Sequence, residues 1–267
     1  MMNHRESGFT LIELMAALLI SSVLLLAMYQ NYVISQRSYS LLEGYSLLQE
    51  NARFSQDALA RTIRMAGYRS NPGLTFGVAF PVDATARTAT GITFPSAGQV
   101  VTGINNDVGV AAILDGTDSV SVRFDGGNAM TDCFGNNVID SYSAVNSFYV
   151  DSGKSLNCSS TIIKSPTVST TSSQPLVEGV EDMQILYGVD TNADKIADTY
   201  LNAAAVTATQ WPNVVTVRVS ALYTTVNRIP DTKTQSFTML DNGTVTFTDG
   251  LRRQLFTATI NLRNKTL

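Results

Sequence analysis

The stretch Gly8-Phe9-Thr10-Leu11-Ile12-Glu13 leads into an apolar run from Leu14 to Met28 that is interrupted only by Ser21 and Ser22. Phe9 to Met28 is 20 residues, of which 4 are polar (Thr10, Glu13, Ser21, Ser22). A helix of that length reaches about 30 Å, the thickness of bilayer hydrocarbon. A usual secretory signal places a small-residue cleavage site after its hydrophobic core. Met1 to Gly8 is instead short and polar, with no apolar stretch of its own, so the apolar segment is expected to stay on the chain as a membrane anchor.

Glu13 stands near one end of that segment. Burying a carboxylate in hydrocarbon costs a few kcal/mol, and intramembrane ionisable groups usually serve a partner or a pathway. One reading pairs Glu13 with a positive charge. The other leaves it at headgroup level as a solvated first-turn acid, favoured there by the helix dipole.

Beyond Met28 the pattern remains helical. No proline occurs before Pro72, and Leu41, Tyr45, Leu48, Ala52, Leu59, Ile63 and Ala66 recur close to one face, the spacing of an amphipathic helix. One helix from Phe9 to Ala66 is expected, with Gly67 as its C′ residue. Gly44 weakens it by about 1 kcal/mol relative to alanine without requiring a break. The C-terminal part of the stripe is expected to lie against a sheet. Strict heptads are not sustained, which disfavours a free coiled coil.

After Gly67 the composition shifts to Gly, Ser, Thr, Asn and β-branched residues. Tyr68 to Val108 is rich in turn formers. Strands are expected at 119–124, 147–150, 161–164, 183–187, 214–225, 245–248 and 255–262. Val215, Val217, Val219 and Ala221 would face one way and Thr216, Arg218 and Ser220 the other, as in an antiparallel strand with one covered face. The expected fold class is α+β, a long N-terminal helix packed on an antiparallel β-sheet head. The 267 residues, 44% hydrophobic, hold one anchor and one such head. The net charge of −4 argues against a broad nucleic-acid footprint. The basic clusters Arg61, Arg64, Arg69 and Arg252, Arg253, Arg263, Lys265 read as solvated or subunit-contact charge.

Asp190-Thr191-Asn192-Ala193-Asp194-Lys195-Ile196-Ala197-Asp198 matches the first part of a calcium loop, with oxygen ligands expected from Asp190, Asn192, Asp194 and Asp198. Lys195 takes the usual glycine position, and Leu201 stands where a bidentate Glu would be. The alternative is a polar hairpin turn. Gly153-Lys154-Ser155 ends like a phosphate-binding loop, but Phe148 replaces the upstream glycine, so a turn is expected. Glu178 and Glu181 mark no cleft and read as solvated charge.

The Gly8-Phe9 junction, the Glu five residues beyond Gly8 and the apolar run together resemble the class III signal of type IV pilins and type II secretion pseudopilins. The resemblance implies that a prepilin peptidase cleaves after Gly8 and N-methylates Phe9. It divides the chain into a leader (1–8), a long helix (9–67, membrane-spanning over 9–28) and a head (68–267). His4, the sole histidine, would leave with the leader, which excludes Ser-His-Asp, Cys-His and histidine-metal sites from the mature chain. No enzymatic activity and no required cofactor are expected, calcium being the one candidate ion. A head that follows its anchor into the oxidising periplasm would join Cys133 to Cys158, worth about 3.5 kcal/mol in the chain-entropy picture.

The stretches 48–54 (LQENARF), 63–69 (IRMAGYR), 187–192 (YGVDTN), Trp211-Pro212-Asn213-Val214-Val215 and Asn261-Leu262-Arg263-Asn264, with the cysteine placement, further resemble the minor pilin PilW family, which tends to carry glycine where Lys195 stands. The resemblance implies a low-abundance pilin. It would be anchored in the inner membrane with a periplasmic head, and would lie at the cell surface once assembled. Other minor pilins and the major pilin would be its partners, in an initiation complex and at the pilus tip. Glu13 would then pair with the N-terminal amine of a neighbouring subunit. The competing expectations are a type II secretion pseudopilin, or a tip adhesin or DNA-uptake contact using the basic clusters.

Overall fold

A computed structural model describes residues 8–86, 90–106, 109, 113–165, 168–225 and 234–266. Helix α1 (Leu11–Met65) is followed by strands β1 (Val101–Ile104), β2 (Ser119–Asp125), β3 (Ser143–Val150), β4 (Ser155–Ser165), β5 (Val168–Glu178), β6 (Val180–Val189), β7 (Thr199–Leu201), β8 (Val214–Thr224), β9 (Gln235–Met239), β10 (Gly243–Phe247) and β11 (Arg253–Asn261). The chain divides into two compact units, Met1–Tyr45 and Ser46–Leu267. The leader residues 1–7, including His4, lie outside the described residues.

Helix α1 continues through Gly44, because one glycine costs too little to break a helix of this length. It ends at Gly67, whose φ of +72° is the left-handed conformation that glycine adopts without strain. The Gly67 amide donates to the Arg123 carbonyl at 2.9 Å. The Asn264 side-chain amide donates to the carbonyls of Arg64 (3.3 Å), Met65 (3.3 Å) and Ala66 (3.1 Å). These are among the carbonyls that a helix end leaves without intrahelical partners. The C-terminal segment thus closes the helix that begins the chain.

Among the described residues, the single sheet expected from the sequence is three. The orders are β1-β2-β3-β4-β5, β11-β8-β6-β7 and the β9-β10 hairpin, with every pairing antiparallel. Leu48, Ala52, Leu59, Ile63 and Ala66 of the α1 region are 0–3% exposed. They share a core with Met183, Ile185 and Tyr187 of β6, Val217, Val219, Ala221 and Tyr223 of β8, and Ile260 of β11. Ser55, buried on α1, shares a short hydrogen bond with the Tyr223 hydroxyl. The second face of β8 is not solvated as expected: Ser220 and Leu222 are both 1% exposed. Arg218 lies across the Tyr200 ring, 3.9 Å from its centroid.

Asp118 forms the seam between the two large sheets. Its amide donates to the Met183 carbonyl at 2.8 Å. Its carboxylate accepts the amides of Asn106 (2.8 Å) and Ile185 (2.7 Å). Nearby, Gly103 admits the Tyr187 hydroxyl so closely that a Cβ there would lie 1.9 Å from it. Trp211 meets the Tyr187 ring edge-on, with centroids 4.8 Å apart. The disulfide joins Cys133 to Cys158, tying the loop before β3 to β4.

The basic clusters are not solvated throughout. Arg253 is 6% exposed, lies over the Phe247 ring and forms ion pairs with Glu181 and Asp249. Glu181 in turn accepts Lys154 at 2.7 Å, so this acid is structural rather than freely solvated. Lys154, at φ +61°, occupies the turn between β3 and β4, as expected for the Gly153-Lys154-Ser155 motif.

Two measurements check this frame. Asn264→Ala should lower the unfolding free energy by about 1 kcal/mol, the usual worth of a helix cap, in denaturant titration. Burial pushes the Asp118 carboxyl up to about 7, against the two amides that pull it down. Because its unfolded value is about 3.9, its contribution to stability is full below about pH 4 and is lost as pH rises through about 7. Asp118→Asn should therefore flatten that part of the stability profile; an unchanged slope would contradict it.

Candidate functional site

Gly8, Phe9 and Thr10 precede the helix, and Leu11 opens it. Thr10 and Glu13 close a reciprocal capping box. The Glu13 carboxylate accepts the Thr10 amide and the Thr10 hydroxyl, each at 2.9 Å, and the Thr10 hydroxyl accepts the Glu13 amide at 3.3 Å. Two otherwise unpartnered amides at the helix start are thereby satisfied. The Thr-x-x-Glu spacing was legible in the sequence as a cap. It makes Thr10 a member of the site and gives Glu13 a local partner besides any intermolecular one.

The rest of the segment is uncovered. Phe9 is 90% exposed, Leu11 79%, and every large apolar side chain to Met28 is more than half exposed. Mean hydropathy reaches 2.4 over a window of which none is buried. The polar groups within it are satisfied locally. Ser21 donates to the Ala17 carbonyl at 2.6 Å and Ser22 to that of Leu19 at 2.8 Å. A segment whose polar atoms all bond internally can lie in hydrocarbon without an unsatisfied group.

The second candidate site, the loop after β6, gathers its four expected residues but spends their oxygens on itself. Asp190 accepts the amides of Asn192 (3.1 Å), Ala193 (2.7 Å) and Lys195 (2.8 Å). Asp198 accepts the Thr191 amide and hydroxyl, both at 2.7 Å, and these bonds hold its carboxyl below the usual range. The Asn192 side-chain nitrogen stands between Asp194 (3.2 Å) and Asp198 (3.3 Å), where a cation would need an oxygen. Among the described residues no group of three or more His, Cys, Asp or Glu is arranged to hold a metal. Asn192 would have to present its oxygen in place of its nitrogen for these side chains to surround a cation. Lys195 keeps the conformation of the glycine it replaces, with φ +66°.

Two family models match the chain. One, described as Type IV Pilus-assembly protein W, covers residues 147–264; the other, a prokaryotic N-terminal methylation motif, covers residues 3–29. The C-terminal part of the head is thus similar to the PilW family of type IV pilus proteins. The PilW region takes in β4 to β11, the Asp190 loop, Trp211 and Asn264, while the methylation motif takes in Gly8, Phe9, Thr10 and Glu13. Among solved structures, a type IV-like pilin from Thermus thermophilus aligns at 14% identity and a TM-score of 0.47, covering 81% of this chain and 97% of that one. No curated protein matches in sequence. The methylation motif and the apolar helix behind it fit membrane anchoring followed by pilus assembly.

The Asp190 loop yields a direct check. Lys195→Gly should stabilise the protein by up to about 1 kcal/mol, by relieving a left-handed lysine. Millimolar calcium should leave the melting temperature of the unsubstituted protein unchanged. A rise with calcium would mean that Asn192 turns its carbonyl inward and the loop is a cation site after all.

Proposed function

We propose that the protein is a minor pilin that helps initiate type IV pilus assembly and takes a place at the pilus tip. The observation that carries this reading is the joining, in one chain, of a PilW region to a methylation motif whose helix is entirely uncovered from Phe9 to Met28. Prepilin peptidase cleaves after Gly8 and methylates Phe9. The apolar segment holds the subunit in the inner membrane, with the head on the periplasmic side. Glu13 then exchanges its bonds to Thr10 for the N-terminal amine of a neighbouring subunit, bringing an opposite charge to a buried carboxylate. The head supplies lateral contacts to other minor pilins and to the major pilin. The role is structural. Arg253, committed to Glu181 and Asp249, no longer counts towards a basic patch for nucleic acid.

Surface pili should disappear on in-frame deletion and partly return when the retraction motor is also removed. Normal pili in both backgrounds, with exoprotein secretion lost, would assign the protein to a secretion pseudopilus instead. Cap and charge are separable at Glu13. Glu13→Gln keeps the capping box, which accepts Gln as well as Glu, but removes the charge; it should leave processing intact and prevent incorporation into pili. Incorporation at the level of the unsubstituted protein would show that Glu13 serves only as a cap.

A further inference from the structure

One face of the five-stranded sheet carries a polar pair between two apolar rows. Along β3, Ala144, Asn146 and Phe148 alternate onto that face. The register sets Phe148 between Val120 of β2 and Cys158 of β4, and Ala144 between Phe124 and Ile162. In the row between these, Asn146 lies opposite Val122 on one side and Ser160 on the other. Asn146 is 0% exposed and Ser160 2%, so both are as fully removed from water as the phenylalanines beside them.

Cross-strand partners of this kind hold their Cβ atoms about 5 Å apart. Even so, the two side chains bond neither to each other nor to any other part of the protein: the Asn146 oxygen, the Asn146 nitrogen and the Ser160 hydroxyl are all without a protein partner. Roughly nine in ten buried polar atoms are met, and three unmet atoms on adjacent residues call for a common cause. Irregular pairing is not that cause, because β3 and β4 run here without a register shift. The opposite face of the same sheet closes such a pair directly, Ser121 with Ser147.

The surroundings limit what can meet these atoms. The loop joining β2 to β3 (residues 126–142) is fastened on both sides of the polar row. Cys133 is joined to Cys158 on one side, and Val138 packs with Phe124 and Ala144 on the other. Side chains this completely enclosed leave no place for an organic ligand. A water molecule donates two hydrogen bonds and accepts two, which lets it serve the Asn146 side chain and the Ser160 hydroxyl together. Of the neighbours of Asn146 on this face, Ala144 and Ser160 are small. The row continues to Ser172 of β5, which is exposed, so its far end reaches solvent.

We propose that Asn146 and Ser160 hold one internal water molecule, kept in place by the loop that the Cys133–Cys158 disulfide fastens over them.

Oxygen-17 relaxation dispersion, applied to the full chain in detergent, counts water molecules held longer than nanoseconds and gives their residence times. Asn146→Leu combined with Ser160→Ala removes every polar side-chain atom of the pair and fills the row with apolar groups. This variant should hold one long-lived water fewer than the unsubstituted protein. An unchanged count in the folded variant overturns the proposal. If the double variant does not fold, a crystal structure of the unsubstituted chain decides. Density within hydrogen-bond distance of both Asn146 and the Ser160 hydroxyl supports the water; a direct Asn146–Ser160 bond without such density overturns it. Cys133→Ala with Cys158→Ala should shorten the residence time of this water several-fold, and an unchanged residence time would overturn the part assigned to the disulfide. Neither result bears on Glu13 or on pilus initiation, which are tested separately.

Discussion

The head depends on covering one stripe of α1. Leu48, Ala52, Leu59 and Ile63 are almost wholly removed from water, and a fully buried Leu or Ile is worth about 2 kcal/mol, so the sheets must present an apolar face to that stripe. β6, β8 and β11 do so through Ile185, Val217, Val219, Ala221 and Ile260. The remaining fixtures hold the arrangement in register. Asn264 secures the last carbonyls of the helix, the Gly67 amide reaches β2 through the Arg123 carbonyl, and Asp118 joins β2 to β6.

Polar residues carry an unusual share of the interior. Ser121, Ser147 and Ser159 are fully buried, and the buried Arg123 guanidinium is turned over to main-chain carbonyls. It donates to Gln99 (2.5 Å), Pro81 (2.8 Å) and Phe80 (3.1 Å), lies over the Phe94 ring, and burial lowers its pKa to about 10. A buried charge is tolerable only when its donors are met in this way. Arg123 and, from the basic clusters, Arg253 are internal fasteners, and Lys265 is packed over the Phe76 ring with its pKa pushed down to about 8 by burial. These three cations hold loops and strands in place.

The N-terminal segment works by the opposite rule. Its apolar side chains are left uncovered and its few polar groups are closed by neighbours three or four residues away. Both conditions suit hydrocarbon, where dispersion contacts can be exchanged between lipid and protein but an unmet hydrogen bond cannot be absorbed. The Thr10–Glu13 box lets the carboxylate be satisfied in an isolated subunit and yet remain at the exposed start of the helix, where a cationic partner could reach it. The two parts of the helix thus differ: its N-terminal surface is left bare, and one stripe of its C-terminal part is closed off by the sheets.

What the sequence by itself determined was whatever depends on spacing along the chain. The apolar run, the helix through Gly44, the stop at Gly67 and the cores of β2, β6, β8 and β11 follow from periodicity and from glycine's freedom at positive φ. The Thr-x-x-Glu cap was equally local and could have been read there. Only the tertiary structure decided the rest, because those features rest on partners far apart in sequence. β5 was hidden because a Ser/Thr run with a proline carries no hydrophobic alternation and becomes a strand only against β4. Asn264 acts on a helix end some 200 residues away, with no local pattern to announce it. Arg253 looked solvated until folding brought Glu181 and Phe247 against it. The Asp190 loop held calcium-like spacing, but spacing does not fix where an oxygen points, and folding aimed these at the loop's own amides.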